Sequence, residues 1–316
     1  MEEIKISIVV PLYNEEDVFD KLIERLLNVI NQASFTCEVI LINDGSNDKT
    51  PLLIEELCKI DKRFTGILLS RNHGHQLAVT AGLKYVRGIE GAMIIDGDLQ
   101  DPPELIADFY SLLQQGNDVI YAVRKNRKES FLKKIAYKYY YRLQKKISNF
   151  NIPIDSGDFS MISKRVVDIM NEMPEQSRYL RGMRSWVGFK QIAFEYDRDE
   201  RQAGETKYSW SKLFELAFNG IFNFSDFPVR LITKVGLFTI FISFIYFLYI
   251  VYSKIKYHDI PQGFPTLIFA IILFSGVQLL SLGLIGEYVL RIYNQVRNRP
   301  LFVVEKVLQE GEEIKR

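Results

Sequence analysis

The chain has 316 residues, a net charge of +1 and two cysteines. That length accommodates one large domain or two small ones, with a sizeable core. The near-neutral charge excludes the global basic field of a nucleic-acid-binding protein, and the isolated Cys37 and Cys58 exclude a disulfide framework and fit a reducing compartment.

Met1-Glu2-Glu3 is acidic and residues 4–10 form a short β-type run ending at Pro11, not a charged segment followed by a long apolar one. No signal peptide is expected, and the first domain is expected to be cytosolic. Residues 17–33 read as an amphipathic helix, 38–43 as a strand, 49–59 as a helix, 65–70 as a strand and 76–86 as a helix. A fourth strand over 92–95 ends at Asp96, followed by a helix over 103–115 and a strand over 118–123. Strands alternating with helices predict an α/β domain with a largely parallel sheet. Ligands of such sheets bind beyond the carboxyl ends of the strands. Polar clusters fall at those ends: Tyr13-Asn14-Glu15, Asp44-Gly45-Ser46, Arg71-Asn72-His73-Gly74 and Asp96-Gly97-Asp98.

Beyond that domain the composition changes. Residues 131–150 interleave Lys133, Lys134, Lys138, Arg142, Lys145 and Lys146 with tyrosines and aliphatics, a pattern that fits a membrane surface and equally a solvated helix face. Residues 213–227 carry five phenylalanines and are expected to lie in the interface. Two long apolar runs follow, 231–252 and 265–290, each long enough to span a bilayer as a helix. Arg230 and Lys234 on one flank, and Arg291, Arg297 and Arg299 on the other, outweigh Lys254 and Lys256 of the intervening loop. The positive-inside rule therefore puts both flanks, and both termini, in the cytosol. The expected divisions are 1–208 for the catalytic domain, 209–230 for interfacial amphipathic helices, 231–291 for the two spans and 292–316 for a cytosolic tail.

The residues that carry chemistry centre on Asp96-Gly97-Asp98. Residues two apart in an extended chain face the same way, so two carboxylates at a strand end make a hard oxygen site for Mg²⁺ or Mn²⁺. Such an ion commonly bridges a diphosphate. Gly97 permits close approach of the backbone, and Gln100 and Asp101 could add an oxygen ligand. Alone, the triplet is also compatible with an ordinary acidic turn facing water. His73 and His75 could form a metal pair, and a role in shaping their loop accounts for them as well.

The set Val10-Pro11-Leu12-Tyr13-Asn14-Glu15, Asn43-Asp44-Gly45-Ser46 and Asp96-Gly97-Asp98, in this order after successive strands, resembles the nucleotide-sugar domain of family 2 glycosyltransferases. The resemblance implies a GT-A (Rossmann-like) fold, with interfacial helices and two C-terminal transmembrane helices here. It places Pro11, Tyr13 and Glu15 at the nucleoside, Asp44 at the base, Arg71 and Gln76 near the nucleotide, and Asp96 and Asp98 at ribose and metal, with Gln100 as a further ligand. Ile154-Asp155-Ser156-Gly157-Asp158-Phe159, the Arg178–Phe189 stretch and Arg201-Gln202-Ala203-Gly204-Glu205-Thr206-Lys207, followed by two spans, look like the polyprenyl-phosphate glycosyltransferases. These include bactoprenol glucosyltransferases and, more distantly, dolichol-phosphate mannose synthases. The Gln-x-x-Arg-Trp motif of processive synthases is absent.

This resemblance implies inverting transfer of a sugar, foremost glucose from UDP-glucose, to undecaprenyl phosphate at the cytosolic face, for later glycosylation outside. A homo-oligomer, with a tetramer as the candidate state, is also implied, with no nucleic-acid partner. It makes Asp158 and Asp98 catalytic, and Arg124, Arg127, Arg201 and Lys207 are candidates for the acceptor phosphate. Asp158 corresponds to the aspartate usually called the base. A phosphate monoester has a second pKa of about 6, so it is mostly ionised near neutral pH and needs little deprotonation. Asp158 has three alternative roles: positioning the acceptor, stabilising charge on the sugar ring, or accepting a final proton. Asp155 is close enough to share the assignment. Other sugars (N-acetylglucosamine, N-acetylgalactosamine, mannose, aminoarabinose), a soluble hydroxyl acceptor, and a non-catalytic membrane scaffold remain alternative readings.

Overall fold

A computed structural model describes residues 3–125, 156–197, 227–257 and 263–314. The chain divides into two compact units, one formed by Met1–Lys146, Phe150–Leu216 and Pro300–Arg316, the other by Ile147–Asn149 and Ala217–Arg299.

The first unit is built on a nine-stranded mixed sheet. Its strands are β1 (Ile6–Leu12), β2 (Cys37–Asn43), β3 (Phe64–Leu69), β4 (Gly91–Ile94), β5 (Val119–Arg124), β6 (Ser156–Ser163), β7 (Gln191–Tyr196), β8 (Val304–Gln309) and β9 (Glu312–Ile314), in the order β7-β5-β6-β4-β1-β2-β3-β8-β9. Every residue of β1, β2 and β3 is buried, which is why they read as unbroken apolar runs rather than alternating ones. Helices α1 (Phe19–Gln32), α2 (Thr50–Ile60), α3 (His75–Lys84) and α4 (Ile106–Gln114) connect the parallel strands. In α1, Phe19, Leu22, Ile23, Leu26, Val29 and Ile30 are buried, the spacing of one helix face.

The expectation of a largely parallel sheet holds for β1, β2, β3 and β4. It fails at two places. Between β4 and β5 the sheet admits β6, antiparallel to both. Two short helices, α5 (Lys164–Glu172) and α6 (Leu180–Val187), then lead to β7, which is parallel to β5. At the other edge, the segment expected as a tail is part of the domain: β8 pairs antiparallel with β3, and β9 with β8. Glu310 (φ 55°) and Gly311 (φ 86°) make the turn between them, a pair of positive φ values suited to a tight hairpin. Lys306 Nζ is 3.0 Å from Glu55 Oε2, and Arg87 reaches Glu310 at 3.1 Å.

The second unit contains α7 (Phe227–Tyr257) and α8 (Phe264–Val296), longer at both ends than the apolar runs that predict them. Within them, Ile232–Ser253 and Ala270–Val296 are long and apolar enough to cross a membrane, and neither stretch is buried by other parts of the protein. At about 1.5 Å per residue such lengths exceed a hydrocarbon core of about 30 Å. The basic aromatic segment 131–150 and the interfacial segment expected over 209–226 lie outside the described residues.

Candidate active site

The polar clusters meet at the carboxyl ends of β1, β2 and β4. Pro11 and Leu12 are buried in the last rungs of β1, opposite Ile42 and Asn43. The two loops that follow β1 and β2 are joined to each other. Asn14 (φ 52°) accepts from Asn47 N at 2.8 Å and donates its own amide to Ser46 Oγ at 3.0 Å. Glu15 N donates to Thr50 Oγ1 (3.1 Å), Glu16 N to Asp48 Oδ2 (3.1 Å), and Lys49 N to Glu16 Oε2 (3.0 Å). Tyr13 and Glu15 are half-buried at this junction.

Asp44, 3 % exposed, accepts from His73 N at 2.7 Å and Gly74 N at 2.9 Å. Burial raises its pKa, and those two amide bonds draw it back part of the way. Gly45, at φ +64°, lies so close to the loop after β3 that a Cβ would sit 2.3 Å from the carbonyl carbon of Arg71. Only glycine lets the β2 and β3 loops touch here. Arg71 itself is exposed and donates to Asn72 O at 3.1 Å.

Asp96 and Asp98 flank a turn pressed against β1: a Cβ on Gly97 would lie 2.4 Å from Leu12 Cδ2. Asp98 Oδ1 accepts from Gln100 N at 3.2 Å, and Leu99 takes φ 61°. Arg25 of α1 braces the turn from behind, donating to Leu99 O at 3.4 Å while holding Glu104 at 2.7 Å. Asp101 is buried and accepts from Tyr196 Oη at 2.6 Å, which turns it from the ligand role suggested by its neighbours towards anchoring β7. Arg124, opposite Tyr196 in the β5–β7 ladder, is half-buried. Arg127, Arg201, Lys207 and Asp155 lie outside the described residues.

Asp158 enters on β6 from the opposite direction. The β4–β6 register pairs Ile94 with Ser160; extended by two residues, it sets Asp158 across from Asp96. Asp158 Oδ2 accepts from Gln76 Nε2 at 2.9 Å and lies 3.3 Å from His75 Nε2, while Oδ1 accepts from Arg181 Nε at 2.9 Å. His75 Nε2 is also 3.6 Å from Asp96 Oδ1, so one imidazole links the two aspartates. Gln76 accepts from Leu180 N at 2.8 Å with its carbonyl, so both ends of its amide serve the Asp158 side of the crevice rather than the nucleotide loops.

The electrostatics follow from that geometry. Burial opposes charge on His75, but the Asp158 hydrogen bond and the charges of Asp96 and Asp158 outweigh it and raise its pKa to about 9. Burial likewise opposes charge on Asp158. The Arg181 charge, with the His75 hydrogen bond and charge, holds the carboxyl well below the usual carboxylate range. Asp158 is thus a fixed anion with hydrogen bonds to both oxygens, a poor proton acceptor.

Arg181 and Arg184 are the residues the sequence reading did not single out, and His75, read there as half of a metal pair or as a loop-shaping residue, instead lies between Asp96 and Asp158. His75 sits at the start of α3, aimed at the crevice by the turn at Gly74 (φ 95°). Arg181 and Arg184 are three apart on α6, hence on one face. The signal available was position: a helix start after a strand-end cluster, and two arginines at helical spacing.

Among the described residues, no three carboxylate, imidazole or thiol side chains form a cage for a metal ion. Asp96 and Asp98 supply two carboxylates on one turn. That donor set suits a Mg²⁺-type ion, which commonly takes one or two carboxylates and completes its shell with substrate phosphates and water.

The family profile Glycosyl transferase family 2 matches residues 7–169, and the profile GtrB C-terminal hairpin matches residues 227–292. The uncharacterized glycosyltransferase YkcC of Bacillus subtilis is 44% identical over 304 residues, 96% of this chain and 94% of that one. The bactoprenol glucosyl transferase of Shigella phage SfII is 36% identical over 303 residues, 96% of this chain and 98% of its own. The prophage bactoprenol glucosyl transferase homolog of Escherichia coli is 36% identical over 304 residues, covering 96% and 99%.

Proposed function

The chain belongs to glycosyl transferase family 2 and is a glycosyltransferase, and from that premise we propose that it transfers glucose from UDP-glucose to undecaprenyl phosphate at the cytosolic face of a membrane. One observation carries the reading: likeness to bactoprenol glucosyl transferases runs through both the catalytic domain and the two apolar helices.

In this reading the nucleoside rests on Pro11, Tyr13, Glu15 and Asp44, with Arg71 at the rim. Asp96 and Asp98, with Gln100 beside them, hold a divalent cation that neutralises the diphosphate leaving group. α7 and α8 lodge in the bilayer with both flanks in the cytosol, and copies of the chain pack through them as a homo-oligomer. Arg124, Arg127, Arg201 and Lys207 draw the acceptor's phosphate to the membrane surface.

The reaction is a single displacement. A phosphate oxygen of the acceptor attacks the anomeric carbon, the bond from that carbon to the UDP oxygen breaks, and UDP departs with the electron pair. An α-linked donor gives a β-linked lipid phosphate sugar. The acceptor arrives largely ionised, so no strong base is required, and the three hydrogen bonds to Asp158 match that requirement. Asp158 orients cationic side chains at the acceptor and faces the positive charge that develops on the sugar ring.

The test is a panel of UDP- and GDP-sugars offered with undecaprenyl phosphate to the full-length protein. UDP-glucose should give the highest kcat/KM. Preference for another sugar would move the donor assignment, and transfer from none of them would favour a non-catalytic scaffold.

A further inference from the structure

The turn that carries Asp96 and Asp98 is held from more than one side. Gly97 is pressed on Leu12 of β1, Leu99 is buried at φ 61°, and Arg25 donates to Leu99 O at 3.4 Å. The far end of the turn is held by a more distant part of the chain. Asp101 is 3 % exposed and accepts from Tyr196 Oη at 2.6 Å, a bond that spans 95 positions of sequence. Tyr196 is the buried last residue of β7, and its carbonyl accepts from Lys125 N at 2.9 Å, which continues the β5–β7 ladder.

The ring of Tyr196 is fixed independently of its hydroxyl. It meets Phe159 edge-on, with centroids 5.4 Å apart. Phe159 meets Phe109 of α4 at 5.2 Å, and Phe109 meets Phe194 of β7 at 5.2 Å. Phe159 follows Asp158 on β6, and α4 is the helix into which the turn leads. The aromatic cluster sets where the ring lies, and the hydroxyl passes that position to the turn. A hydrogen bond to a buried carboxylate is among the stronger ones in a protein. A Mg²⁺-type ion demands near-ideal geometry, and groups that orient its ligands from behind typically change its affinity by about tenfold to a hundredfold.

We propose that Tyr196 is a positioning residue for the metal turn: through Asp101, its hydroxyl fixes where the Asp96 and Asp98 carboxylates lie and so sets the affinity for a divalent cation. The inference rests on the reading of Asp96 and Asp98 as the cation's carboxylates. Asp101 then serves the ion by being held rather than by binding it. β7, at one end of the strand order, becomes a component of the donor site.

The test measures Mn²⁺ binding to the full-length protein in the presence of UDP, by electron paramagnetic resonance of the free ion, for the wild type, Tyr196→Phe and Asp98→Ala. Tyr196→Phe keeps the ring and removes only the hydroxyl. It should weaken Mn²⁺ binding about tenfold and leave UDP binding in chelator within about twofold of wild type. The Mn²⁺ concentration for half-maximal transfer should rise by the same factor. Excess Mn²⁺ should restore most of the rate, a recovery that a merely destabilised domain would not give. Unchanged Mn²⁺ affinity in Tyr196→Phe overturns the proposal. So does an equal loss of UDP binding in chelator, which would make Tyr196 a general support of the crevice.

Should Tyr196→Phe fail to fold, Asp101→Asn and Asp101→Ala decide. The amide of Asp101→Asn keeps an oxygen for the hydroxyl. Mn²⁺ affinity near wild type in Asp101→Asn, with about tenfold loss in Asp101→Ala, supports the anchor. Equal loss in both assigns the Asp101 carboxylate to the ion itself, and no loss in either removes the anchor; each overturns the proposal. The underlying reading fails separately. Wild-type protein that binds no Mn²⁺, or Asp98→Ala that binds it as the wild type does, refutes the metal turn and the proposal with it. Loss in Asp98→Ala with Tyr196→Phe equal to wild type refutes the role of Tyr196 and leaves the metal turn standing.

Discussion

The two ends of the sheet each bury a carboxylate beside an arginine, and they do so differently. At the amino end, Glu38 is 1 % exposed and its charge is matched: Arg87 meets it at 2.6 Å, and Ser7 Oγ at 2.5 Å and the Arg87 amide complete its oxygens. At the carboxyl end, Asp158 is 8 % exposed and faces Arg181, His75 and Arg184. The first is a closed ion pair that ties α3's exit and the β8–β9 hairpin to the strands. The second is open to the crevice, with an imidazole shared with Asp96. A closed buried pair marks structure, and one that faces a crevice beside further titratable groups marks a functional site.

The sharpest way to break this contrast is to neutralise each anion's environment in turn. Asp158→Asn should lower kcat about a thousandfold, because it removes the anion that holds Arg181, His75 and Gln76 in place. Binding of UDP should change little, as calorimetry of the purified protein would report. Arg87→Met should do the reverse. It leaves Glu38 buried without its cation and should cost about 3 kcal/mol of stability, read from denaturant unfolding in detergent, with kcat unchanged below the transition. Asp98→Ala should lower kcat about a hundredfold and remove the response to added Mg²⁺ or Mn²⁺, as a chelator titration would show.

How much of this was legible in the sequence depends on which forces fix each part. β1 to β4 declare themselves because both faces are buried and their side chains must be apolar. Asp96 and Asp98 declare themselves by falling at the end of such a strand. β6 (SGDFSMIS) and β8 (VEKVLQ) do not, since short polar strands take their identity from the partner they pair with, and those partners are distant in sequence. The cluster of His75, Arg181 and Arg184 was hidden for the same reason. Only the antiparallel register of β4 and β6 brings Asp158 across from Asp96, and only then do charges on α3 and α6 have something to surround.

The smallest expected effect concerns pH. His75 holds its proton more tightly in the folded protein, at about 9, than at its ordinary 6.5. Its contribution to stability is therefore full below about 6.5 and is lost as pH rises through about 9. Asp158 works in the opposite sense: its carboxyl is depressed, so its contribution is present above the ordinary 3.8 and is lost only as pH falls well below it. The melting temperature should therefore decline between neutral pH and about 9.5, by a few degrees, and His75→Gln should flatten that decline.

The account as a whole turns on what the open end of the sheet acts upon. The most direct measurement is transfer of radiolabelled glucose from UDP-glucose by the full-length protein in vesicles, comparing undecaprenyl phosphate with undecaprenol. Label should enter the lipid extract with the phosphate and not with the alcohol. Equal labelling of both lipids, or none with the phosphate, would contradict the claim that this crevice joins a nucleotide sugar to a lipid phosphate.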